Sequence, residues 1–598
     1  MRYVSFQDKE LISFLTVNSA YQSKVIPGSE RFTFISKITG LPQVWTLDST
    51  QVPVRYIETE DRVIDVCHSP AGGKVVVGVD FKGNEKQQLY LYKADEGILE
   101  KLVYSTDHFH YIGGFSPNGE YLSYSSNRRH PGYFDVFVIH IETNEVDTIF
   151  TNDGYCTPLN WIDHENLLVS IQETNIDNAI YCINVKTKAK YRIGKAHSLA
   201  RYKSIAVTKE KDKAYILTDI NEDTLHLCQF SFSNPGKMEK VLQIPKCDME
   251  EAVLSPTNQT LAFTINQGGV SKLGLYFPNS NMHVVLDDIP KGVINSLSWL
   301  NSLEFVFSLK TPTSPGDIWK YNVDSKILTR LTFVGDGNGI GQKCKDAELC
   351  SFKSFDGIEI PYFFYNQGDD VNKPAVIYVH GGPESQTRAE YHPVIQYLVS
   401  QGFAVAAPNV RGSNGYGRAY LKLDDADKRM DSVQDLAWLV KALIKSHGVD
   451  PKKIGVMGRS YGGFMVLAAV THYPDLWAAG VNIVGISNFK TFLKNTGEWR
   501  RYLRECEYGS LEVYSEFFEE IAPLNHSDKI KAPLLVVHGR NDTRVPVSEA
   551  EQLVRDMVNR NQTVDLIVFE DEGHQTEKIE NHIILHTRTV EFFKQYLN

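Results

Sequence analysis

The stretch Gly458-Arg459-Ser460-Tyr461-Gly462 decides the fold class of this chain, because it places a serine between two glycines after an apolar run. The residues before it, 453–457, predict a buried strand, and the apolar residues after it, 464–470, predict a helix. A strand that turns this sharply into a helix holds the serine in a strained backbone conformation and needs small neighbours. The pattern therefore predicts a nucleophile elbow, which lifts a serine hydroxyl to the top of an open α/β sheet.

A serine becomes a nucleophile only beside a base, and that base needs an acid to orient it. Two further apolar runs, 533–537 and 564–569, predict buried parallel strands; Asp542 follows the first and His574 follows the second. Active sites of open α/β sheets lie beyond the carboxyl ends of the strands. The chain order serine, aspartate, histidine is that of α/β-hydrolases. We therefore predict a catalytic triad of Ser460, Asp542 and His574.

The acid and the base each have rivals in the sequence. Asp528 precedes its strand, so we interpret it as a loop or capping residue. His538 ends a strand and is interpreted as a brace for the following turn, and His582 as a packing or surface residue of the last helix.

An oxyanion hole needs two donors, and the elbow supplies the backbone N–H of Tyr461. Another buried-strand run, 375–379, ends in His380-Gly381-Gly382-Pro383. Glycine lets the backbone approach a substrate carbonyl closely, so we predict the N–H of Gly382 as the second donor. A Pro-Gly turn with no catalytic part is the alternative interpretation.

The order of these motifs resembles that of the prolyl oligopeptidase family of serine peptidases, and within it the acylaminoacyl-peptidase branch. The matching stretches are His380-Gly-Gly-Pro383, Arg411-Gly-Ser-Asn-Gly-Tyr-Gly417, Gly458-Arg-Ser-Tyr-Gly-Gly463, His538-Gly-Arg-Asn-Asp-Thr-Arg-Val-Pro546 and Glu572-Gly-His574. The chain departs from the branch at Arg459, where glycine is usual, and at Ile521-Ala522-Pro523, where Arg-Ser-Pro is frequent. The resemblance implies a β-propeller ahead of an α/β-hydrolase domain, and hydrolysis of short peptides.

Residues 31–334 repeat a unit of Ser-Pro or Trp, a turn, and short alternating strands; Ser69-Pro70, Ser116-Pro117 and Ser255-Pro256 begin clear copies. We count about seven units at a period of roughly 45 residues, which suits four-stranded propeller blades, with a stacked β-sandwich array as the alternative. Strands alternate with helical segments after the repeats, which indicates a mostly parallel, doubly wound sheet. The predicted domains are an N-terminal extension over 1–20 that packs on the hydrolase domain, a β-propeller of about seven blades over 21–340, and an α/β-hydrolase domain over 341–598.

Composition excludes several classes of function. The chain carries a net charge of −11 and no basic block, so we expect no nucleic-acid surface. It has no apolar run of about 18 residues for a membrane span, and its first residues lack the apolar core of a signal peptide. Its eight cysteines show no metal-binding spacing, and there is no phosphate-binding loop. We expect a cytoplasmic protein with reduced thiols, no metal and no cofactor, which acts on short peptides and forms a homo-oligomer in one interpretation.

The segment 486–508 is predicted to cap the sheet. Phe489, Phe492 and Trp499 are candidates for an apolar substrate pocket, with ordinary core packing as the alternative. Three arginines of this segment could meet a peptide carboxylate, but their spacing favours a solvated helix face: Arg500, Arg501 and Arg504.

The predicted function is a serine hydrolase that cleaves short peptides through an acyl-enzyme and releases N-acylated amino acids from blocked peptides. Alternatives are a carboxylesterase, or another oligopeptidase or dipeptidyl peptidase of the same family. The paired-glutamate motif that binds a free amino terminus in dipeptidyl peptidases is missing; the nearest pair, Glu250-Glu251, is interpreted as a blade surface. A propeller-based interaction protein is the alternative from another class.

Overall fold

The computed structural model describes residues 9–81, 83–195, 197–368 and 371–598, apart from the side chains of residues 337 and 338. Contacts divide the chain into two compact units. One consists of Asn18–Thr311 and Pro315–Gly335. The other consists of Pro312–Ser314 and Asp336–Asn598, together with the N-terminal segment that ends at Val17. Residues 1–8 of the predicted extension lie outside the described residues.

The first unit contains seven four-stranded antiparallel sheets, each built from consecutive strands. In chain order the blades are β1 (Ala20–Val25), β2 (Phe32–Ser36), β3 (Gln43–Leu47), β4 (Pro53–Ile57); β5 (Val63–His68), β6 (Lys74–Val79), β7 (Gln88–Lys93), β8 (Ile98–Val103); β9 (His110–Phe115), β10 (Tyr121–His130), β11 (Tyr133–His140), β12 (Val146–Phe150); β13 (Cys156–Trp161), β14 (Asn166–Gln172), β15 (Asn178–Asn184), β16 (Lys190–Ile193); β17 (Tyr202–Val207), β18 (Lys213–Thr218), β19 (His226–Ser231), β20 (Asn234–Leu242); β21 (Asp248–Leu254), β22 (Leu261–Gln267), β23 (Val270–Phe277), β24 (Met282–Val285); β25 (Val293–Trp299), β26 (Glu304–Thr311), β27 (Ser314–Asn322) and β28 (Leu328–Arg330). The predicted seven-bladed propeller is therefore confirmed, and the β-sandwich alternative is wrong.

The repeated turn has one geometry in each clear copy. The Ser69 N–H donates to the Lys74 carbonyl, and the Ser116 N–H donates to the Tyr121 carbonyl, both at 2.8 Å. A residue with positive φ closes the turn, Gly119 in the second case with φ 75°. The Ser-Pro signature therefore marks the hairpin that joins the first and second strands of a blade.

Tryptophans replace this signature in two blades and tie neighbouring blades together. The indole Nε1 of Trp161 donates to the Gly114 carbonyl, and that of Trp299 donates to the Val253 carbonyl, each at 2.9 Å. Each acceptor lies two residues before the Ser-Pro turn of the preceding blade. The period read from the sequence is thus also the spacing of a recurring contact between blades.

The circle of blades closes without exchanging a strand. β1 packs beside β25, where the Ser23 hydroxyl donates to the Ser296 carbonyl at 3.1 Å and the Val25 N–H donates to the Ser298 hydroxyl at 3.3 Å. Side-chain and backbone hydrogen bonds between the first and last blades therefore complete the ring.

The second unit is built on one eight-stranded sheet, which confirms the predicted α/β-hydrolase fold. In chain order its strands are β29 (Glu348–Lys353), β30 (Glu359–Tyr365), β31 (Lys373–Val379), β32 (Ala404–Pro408), β33 (Val449–Arg459), β34 (Ala479–Ile483), β35 (Leu534–Gly539) and β36 (Val564–Phe569). The spatial order is β29-β30-β32-β31-β33-β34-β35-β36. The pairings β29–β30 and β30–β32 are antiparallel, and the others are parallel. The carboxyl ends of the parallel strands therefore share one edge of the sheet.

Helices cover both faces of this sheet. They are α1 (Lys9–Leu15), α2 (Ile340–Lys343), α3 (Pro393–Ser400), α4 (Arg418–Leu421), α5 (Arg429–His447), α6 (Tyr461–His472), α7 (Phe489–Asn495), α8 (Glu498–Tyr508), α9 (Ser515–Ile521), α10 (Ser548–Asn559) and α11 (Ile579–Leu597), with 3₁₀ turns at Val334–Gly339, Ala426–Lys428 and Pro523–Lys529. Nearly every residue of α6 is buried, so the helix after the elbow forms the centre of the core. Among the residues described, no helix combines the length and apolar character that crossing a membrane requires.

The N-terminal helix belongs to this second unit. α1 packs on α3 and α11, and the ring of Phe14 lies 5.9 Å from that of Tyr397. The Tyr391 hydroxyl donates to the Phe14 carbonyl at 2.7 Å. Both Phe14 and Leu11 are fully buried.

Candidate active site

The strand β33 ends at Arg459, and the chain turns into α6 at Ser460. Ser460 has φ 60° and ψ −119°, a conformation that a residue with a side chain rarely adopts. A Cβ atom on Gly458 would lie 2.3 Å from the Gly462 carbonyl oxygen, and one on Gly462 would lie 2.3 Å from the Val379 carbonyl oxygen. The elbow therefore requires both glycines for steric reasons.

Asp542 and His574 meet at the carboxyl edge of the sheet, beyond β35 and β36. The Nδ1–H of His574 donates to Asp542 Oδ2 at 2.7 Å, and both side chains are buried. Asp542 Oδ1 also accepts the N–H groups of Arg544 (2.8 Å) and Val545 (3.0 Å). This fixes the carboxylate and leaves Nε2 of His574 as the nitrogen available to a substrate or a serine. Ser460 and His574 line the same cavity.

The electrostatics of this pair suit a base that is neutral at physiological pH. Burial lowers the pKa of His574, and the charge and hydrogen bond of Asp542 offset only part of that effect. Burial alone would raise the pKa of Asp542, but the interactions with His574 and His538 and the hydrogen bond from the Val545 N–H together hold the pKa below its ordinary value. Asp542 is therefore ionised and His574 is a neutral imidazole.

The alternative candidates for the acid and the base occupy other positions in the structure. Asp528 is exposed in a 3₁₀ turn. His538 Nε2 donates to the Val545 carbonyl at 2.8 Å, so it braces the loop that carries Asp542. His582 lies on α11 beside His586, with ring centroids 5.5 Å apart.

The loop after β31 brings Gly382 to the cavity wall. Gly382 has φ 132°, and a Cβ there would lie 2.7 Å from the Glu384 nitrogen, so only glycine fits. The loop is held by His380, which is hydrogen-bonded to the Gly381 carbonyl (2.7 Å) and to the Ser413 hydroxyl (2.8 Å). From α8, the guanidinium of Arg504 donates to the Gly382 carbonyl at 3.2 Å. The second predicted oxyanion donor is thus positioned from two sides.

Tyr461, the other predicted donor, is the first residue of α6, where backbone N–H groups have no partner within the helix. Its side chain points away from the cavity into a buried network. The hydroxyl donates to Asp424 Oδ2 at 3.0 Å and lies 2.9 Å from the Ser432 hydroxyl. Arg429 ion-pairs with both Asp424 and Glu507 in the same network. This network anchors the residue that follows the nucleophile.

Within the described residues, one group of acidic side chains is close enough to share a metal ion: Asp424, Asp425 and Glu507. The guanidinium of Arg429 already occupies the carboxylates of Asp424 and Glu507. Burial raises the pKa of Asp424 to about 7, against the charge of Arg429. The arrangement is that of a neutralised internal ion pair.

The cavity has a volume of about 430 Å³ and lies within the second unit. Its apolar part includes Ile486, Phe492, Tyr508 and Val545. Its charged lining, among the described residues, is five arginines and two glutamates: Arg388, Arg459, Arg500, Arg504, Arg544, Glu384 and Glu390. The described lining of the cavity therefore has an apolar part and carries a net positive charge.

The three aromatic candidates occupy different places. Phe492 lines the cavity. Phe489 is fully buried behind it, with its ring 4.9 Å from that of Tyr508. Trp499 is not one of the lining residues and lies under the guanidinium of Arg500, 5.0 Å from its ring centroid. Of the three, Phe492 is in position to meet a substrate.

The favoured interpretation of the α8 arginines as a solvated face is wrong for two of them. Arg500 and Arg504 line the cavity, and Arg504 ion-pairs with Glu384 at 3.5 Å. Arg501 instead donates to the Lys494 carbonyl at 2.9 Å. Sequence reasoning also missed Tyr378 and His392, which line the cavity beside Arg459. Arg459, the arginine within the elbow motif, is the sequence feature that indicates this wall of the cavity.

Residues 389–598 match the model of the prolyl oligopeptidase family. The predicted resemblance to this family is confirmed over these residues, and the match supports the prediction of a serine peptidase. The family match covers all three predicted triad residues and the cap segment, but not the loop of Gly382.

Two curated relatives carry different names. The chain is 33% identical over 233 residues to dipeptidyl aminopeptidase BIII of Pseudoxanthomonas mexicana, which covers 38% of this chain and 34% of that protein. It is 26% identical over 260 residues to acylamino-acid-releasing enzyme 1 of Oryza sativa subsp. japonica, which covers 42% of this chain and 33% of that protein. The matched part thus spans about a third of the length of each relative.

The fold is also that of solved structures. A chain from a structural study of two prolyl endopeptidases superposes with a TM-score of 0.86 at 18% identity, over 98% of this chain and 91% of that one. At this identity the similarity establishes the two-domain fold, and substrate preference has to come from the site.

Proposed function

We propose that this chain is a serine peptidase that cleaves short peptides with a blocked, N-acylated amino terminus. The observation that carries the proposal is the charge of the cavity around Ser460, where five arginines face two glutamates among the described lining residues. One of these glutamates, Glu384, is paired with Arg504. A free ammonium group would lose its hydration there and find few available carboxylates, which is unfavourable. An acyl group is neutral and fits the apolar wall near Phe492.

In the proposed mechanism, Ser460 attacks the scissile carbonyl while Nε2 of His574 accepts the hydroxyl proton. Asp542 holds the imidazole in the required tautomer and stabilises its charged form. The N–H groups of Tyr461 and Gly382 bind the developing oxyanion. His574 then passes the proton to the leaving amine, and water hydrolyses the acyl-enzyme by the same steps.

A dipeptidyl aminopeptidase is the second candidate, because a relative of that name is 33% identical over the matched region. Such an activity needs carboxylates for a free amino terminus. The sequence pair Glu250-Glu251 lies on β21, where Glu251 Oε1 accepts the Leu297 N–H at 3.0 Å across to the next blade. Burial raises the pKa of Glu251 to about 7. The interpretation of Glu251 as part of a blade surface is therefore wrong, because its carboxylate accepts a hydrogen bond from the next blade.

The test compares kcat/KM for acetyl-Phe-p-nitroanilide and for a free dipeptide Gly-Phe-p-nitroanilide, which share P1 residue and leaving group. We expect the blocked substrate to be cleaved faster. Ser460→Ala, in the same preparation, should remove hydrolysis of both and labelling by a fluorophosphonate, typically by several orders of magnitude. A preference for the free amine would select the dipeptidyl candidate, and turnover of esters with no turnover of either anilide would select a carboxylesterase.

A further inference from the structure

Arg459 is a partly buried cation beside the nucleophile, and it has no carboxylate partner among the described residues. It forms no ion pair with any carboxylate in the described parts of the chain, and its Nε is buried with no hydrogen-bond partner. Among the described residues, its side chain donates one hydrogen bond, from the guanidinium to the backbone carbonyl of His574. Burial lowers its pKa, with Tyr378, Asp542 and Glu577 acting in the opposite direction. An arginine keeps its charge even so, because its ordinary pKa is above about 12.

Other buried or partly buried arginines of this unit are compensated. Arg411 pairs with Asp435 at 2.9 Å, Arg429 with Glu507 at 2.5 Å, and Arg504 with Glu384 at 3.5 Å. Asp542, the acid of the predicted triad, already accepts hydrogen bonds from His574 and from two backbone N–H groups. An uncompensated buried charge costs free energy, so the site favours an anion that would complete it.

The surroundings of Arg459 suit a carboxylate. The Tyr378 hydroxyl lies 2.8 Å from His392 Nε2, and both residues line the cavity with Arg459. Nδ1 of His392 is buried without a partner. Burial lowers the pKa of His392 to about 4 and raises that of Tyr378 to about 12, so both are neutral hydrogen-bonding groups. Tyr378, His392 and Arg459 thus give one part of the cavity two neutral hydrogen-bonding groups and a positive charge, and we call this part the polar recess.

The position of the recess identifies which part of a substrate it meets. His574 delivers its proton to the leaving group, so the side of Ser460 next to His574 is the leaving-group side. Arg459 is bonded to the His574 backbone and therefore lies on that side. Phe492 and Tyr508 belong to the apolar wall that we assign to the acyl side.

We propose that Arg459 is a specificity-determining residue that binds a carboxylate carried by the leaving amino acid. This proposal rests on the proposed function, and it defines the substrate class more narrowly as short blocked peptides whose leaving residue, the one after the scissile bond, carries a carboxylate. The carboxylate is the free α-carboxylate of that residue or the side chain of an acidic residue. Either would form a charge-assisted, two-point hydrogen bond with the guanidinium.

The experiment compares acetyl-Phe-Gly, acetyl-Phe-Gly-amide and acetyl-Phe-Asp-amide by chromatography of the released amine. We expect the native protein to cleave the free acid about 10- to 100-fold more efficiently than the Gly-amide, mainly through KM, because a buried charged hydrogen bond contributes on that order. Faster cleavage of the Asp-amide than of the Gly-amide would identify the side chain as a second source. A native acid-to-amide ratio of one or less would overturn the proposal without any variant.

Variants then assign the preference to Arg459. Arg459→Gln should bring the acid-to-amide ratio close to one, and Arg459→Lys should retain part of it. Arg555→Gln, which removes an exposed charge on α10, should leave the ratio unchanged. A ratio in Arg459→Gln equal to that of the native protein would contradict the proposal, and a general loss of stability would lower both rates without changing their ratio.

A second substrate pair separates this proposal from the proposed function. 4-Nitrophenyl acetate and 5-acetoxy-2-nitrobenzoate release nitrophenols that differ by one carboxylate, and they need no peptidase activity. If no blocked peptide is cleaved, the proposed function fails, while a carboxylate preference in this pair that is lost in Arg459→Gln would still support the Arg459 site. If blocked peptides are cleaved but neither pair shows a carboxylate preference, the Arg459 proposal is overturned and the proposed function stands.

Discussion

The carboxylate of Asp542 tests the triad more sharply than the serine does, because a second aspartate provides a matched control. Asp542→Asn keeps the shape of the side chain but favours the wrong tautomer of His574, so kcat should fall by about 10⁴-fold. Asp528→Asn changes an exposed aspartate in the same domain and should leave kcat within twofold or so. The measurement is kcat on one anilide for all three proteins. Equal losses in the two variants would remove Asp542 from the mechanism.

The pH dependence of hydrolysis should report the burial of His574. The base is active when neutral, and burial lowers its pKa from the ordinary value of about 6.5 against the opposing charge of Asp542. The neighbouring cations Arg459 and Arg544 act in the same direction as burial. We expect kcat/KM to be constant above pH 6.5 or so and to fall with acidification through a midpoint below that value. In Asp542→Asn the residual activity should have a lower midpoint still, since the opposing charge is gone; a native midpoint above the ordinary value would contradict the assignment.

The chemistry of these side chains could be predicted from the sequence, because each follows an apolar strand and the strands of a parallel sheet end at one edge. The side chains that form the cavity wall could not be predicted in this way. Arg504 lies on a charged helix whose pattern is that of a solvated face, and only the fold shows that one side of α8 turns toward Gly382. His392 and Tyr378 are separated from the elbow along the chain, so their approach to Arg459 depends on the packing of α3 against the sheet.

The elbow between β33 and α6 depends on close contact between backbones. Gly462→Ala would place a methyl group 2.3 Å from the Val379 carbonyl and 2.7 Å from that of His380. The strand end or the helix start must move, so we expect a loss of about 1–3 kcal/mol in the unfolding free energy of this unit and a large loss of kcat. Gly236→Ala is the control, because a Cβ there meets nothing within 4 Å. Denaturant unfolding followed by tryptophan fluorescence and by activity checks both effects; a fully active and equally stable Gly462→Ala protein would refute the steric argument.

Among larger elements, the propeller was the most predictable part of the fold. Its Ser-Pro turns and its Trp161 and Trp299 contacts recur with the blade, so local patterns repeat often enough to reveal the period. The blade ends are less visible in the sequence, because several of the fourth strands are short, such as β16, β24 and β28 (Leu328–Arg330). The cavity wall is formed by segments that do not repeat along the chain, so no recurring pattern reveals it. This is the physical reason why the sequence predicts the blades but not the cavity wall.

The hydrolase unit is made of three separated segments of the chain, and the first of these carries α1, which precedes the propeller in sequence and packs on α3 and α11. Phe14→Ala would remove a fully buried ring next to Tyr397, and truncation of a buried phenylalanine costs about 3–5 kcal/mol. We expect this loss in the hydrolase unit, with earlier loss of activity in denaturant, while the unfolding of the propeller keeps its own midpoint. Thr16→Ala, at an exposed position just after α1, should change neither. Two probes are needed. Activity reports on the hydrolase unit, and hydrogen exchange of the propeller strands reports on the propeller. A shift confined to the propeller, or no shift at all, would show that α1 does not stabilise the unit that carries Ser460.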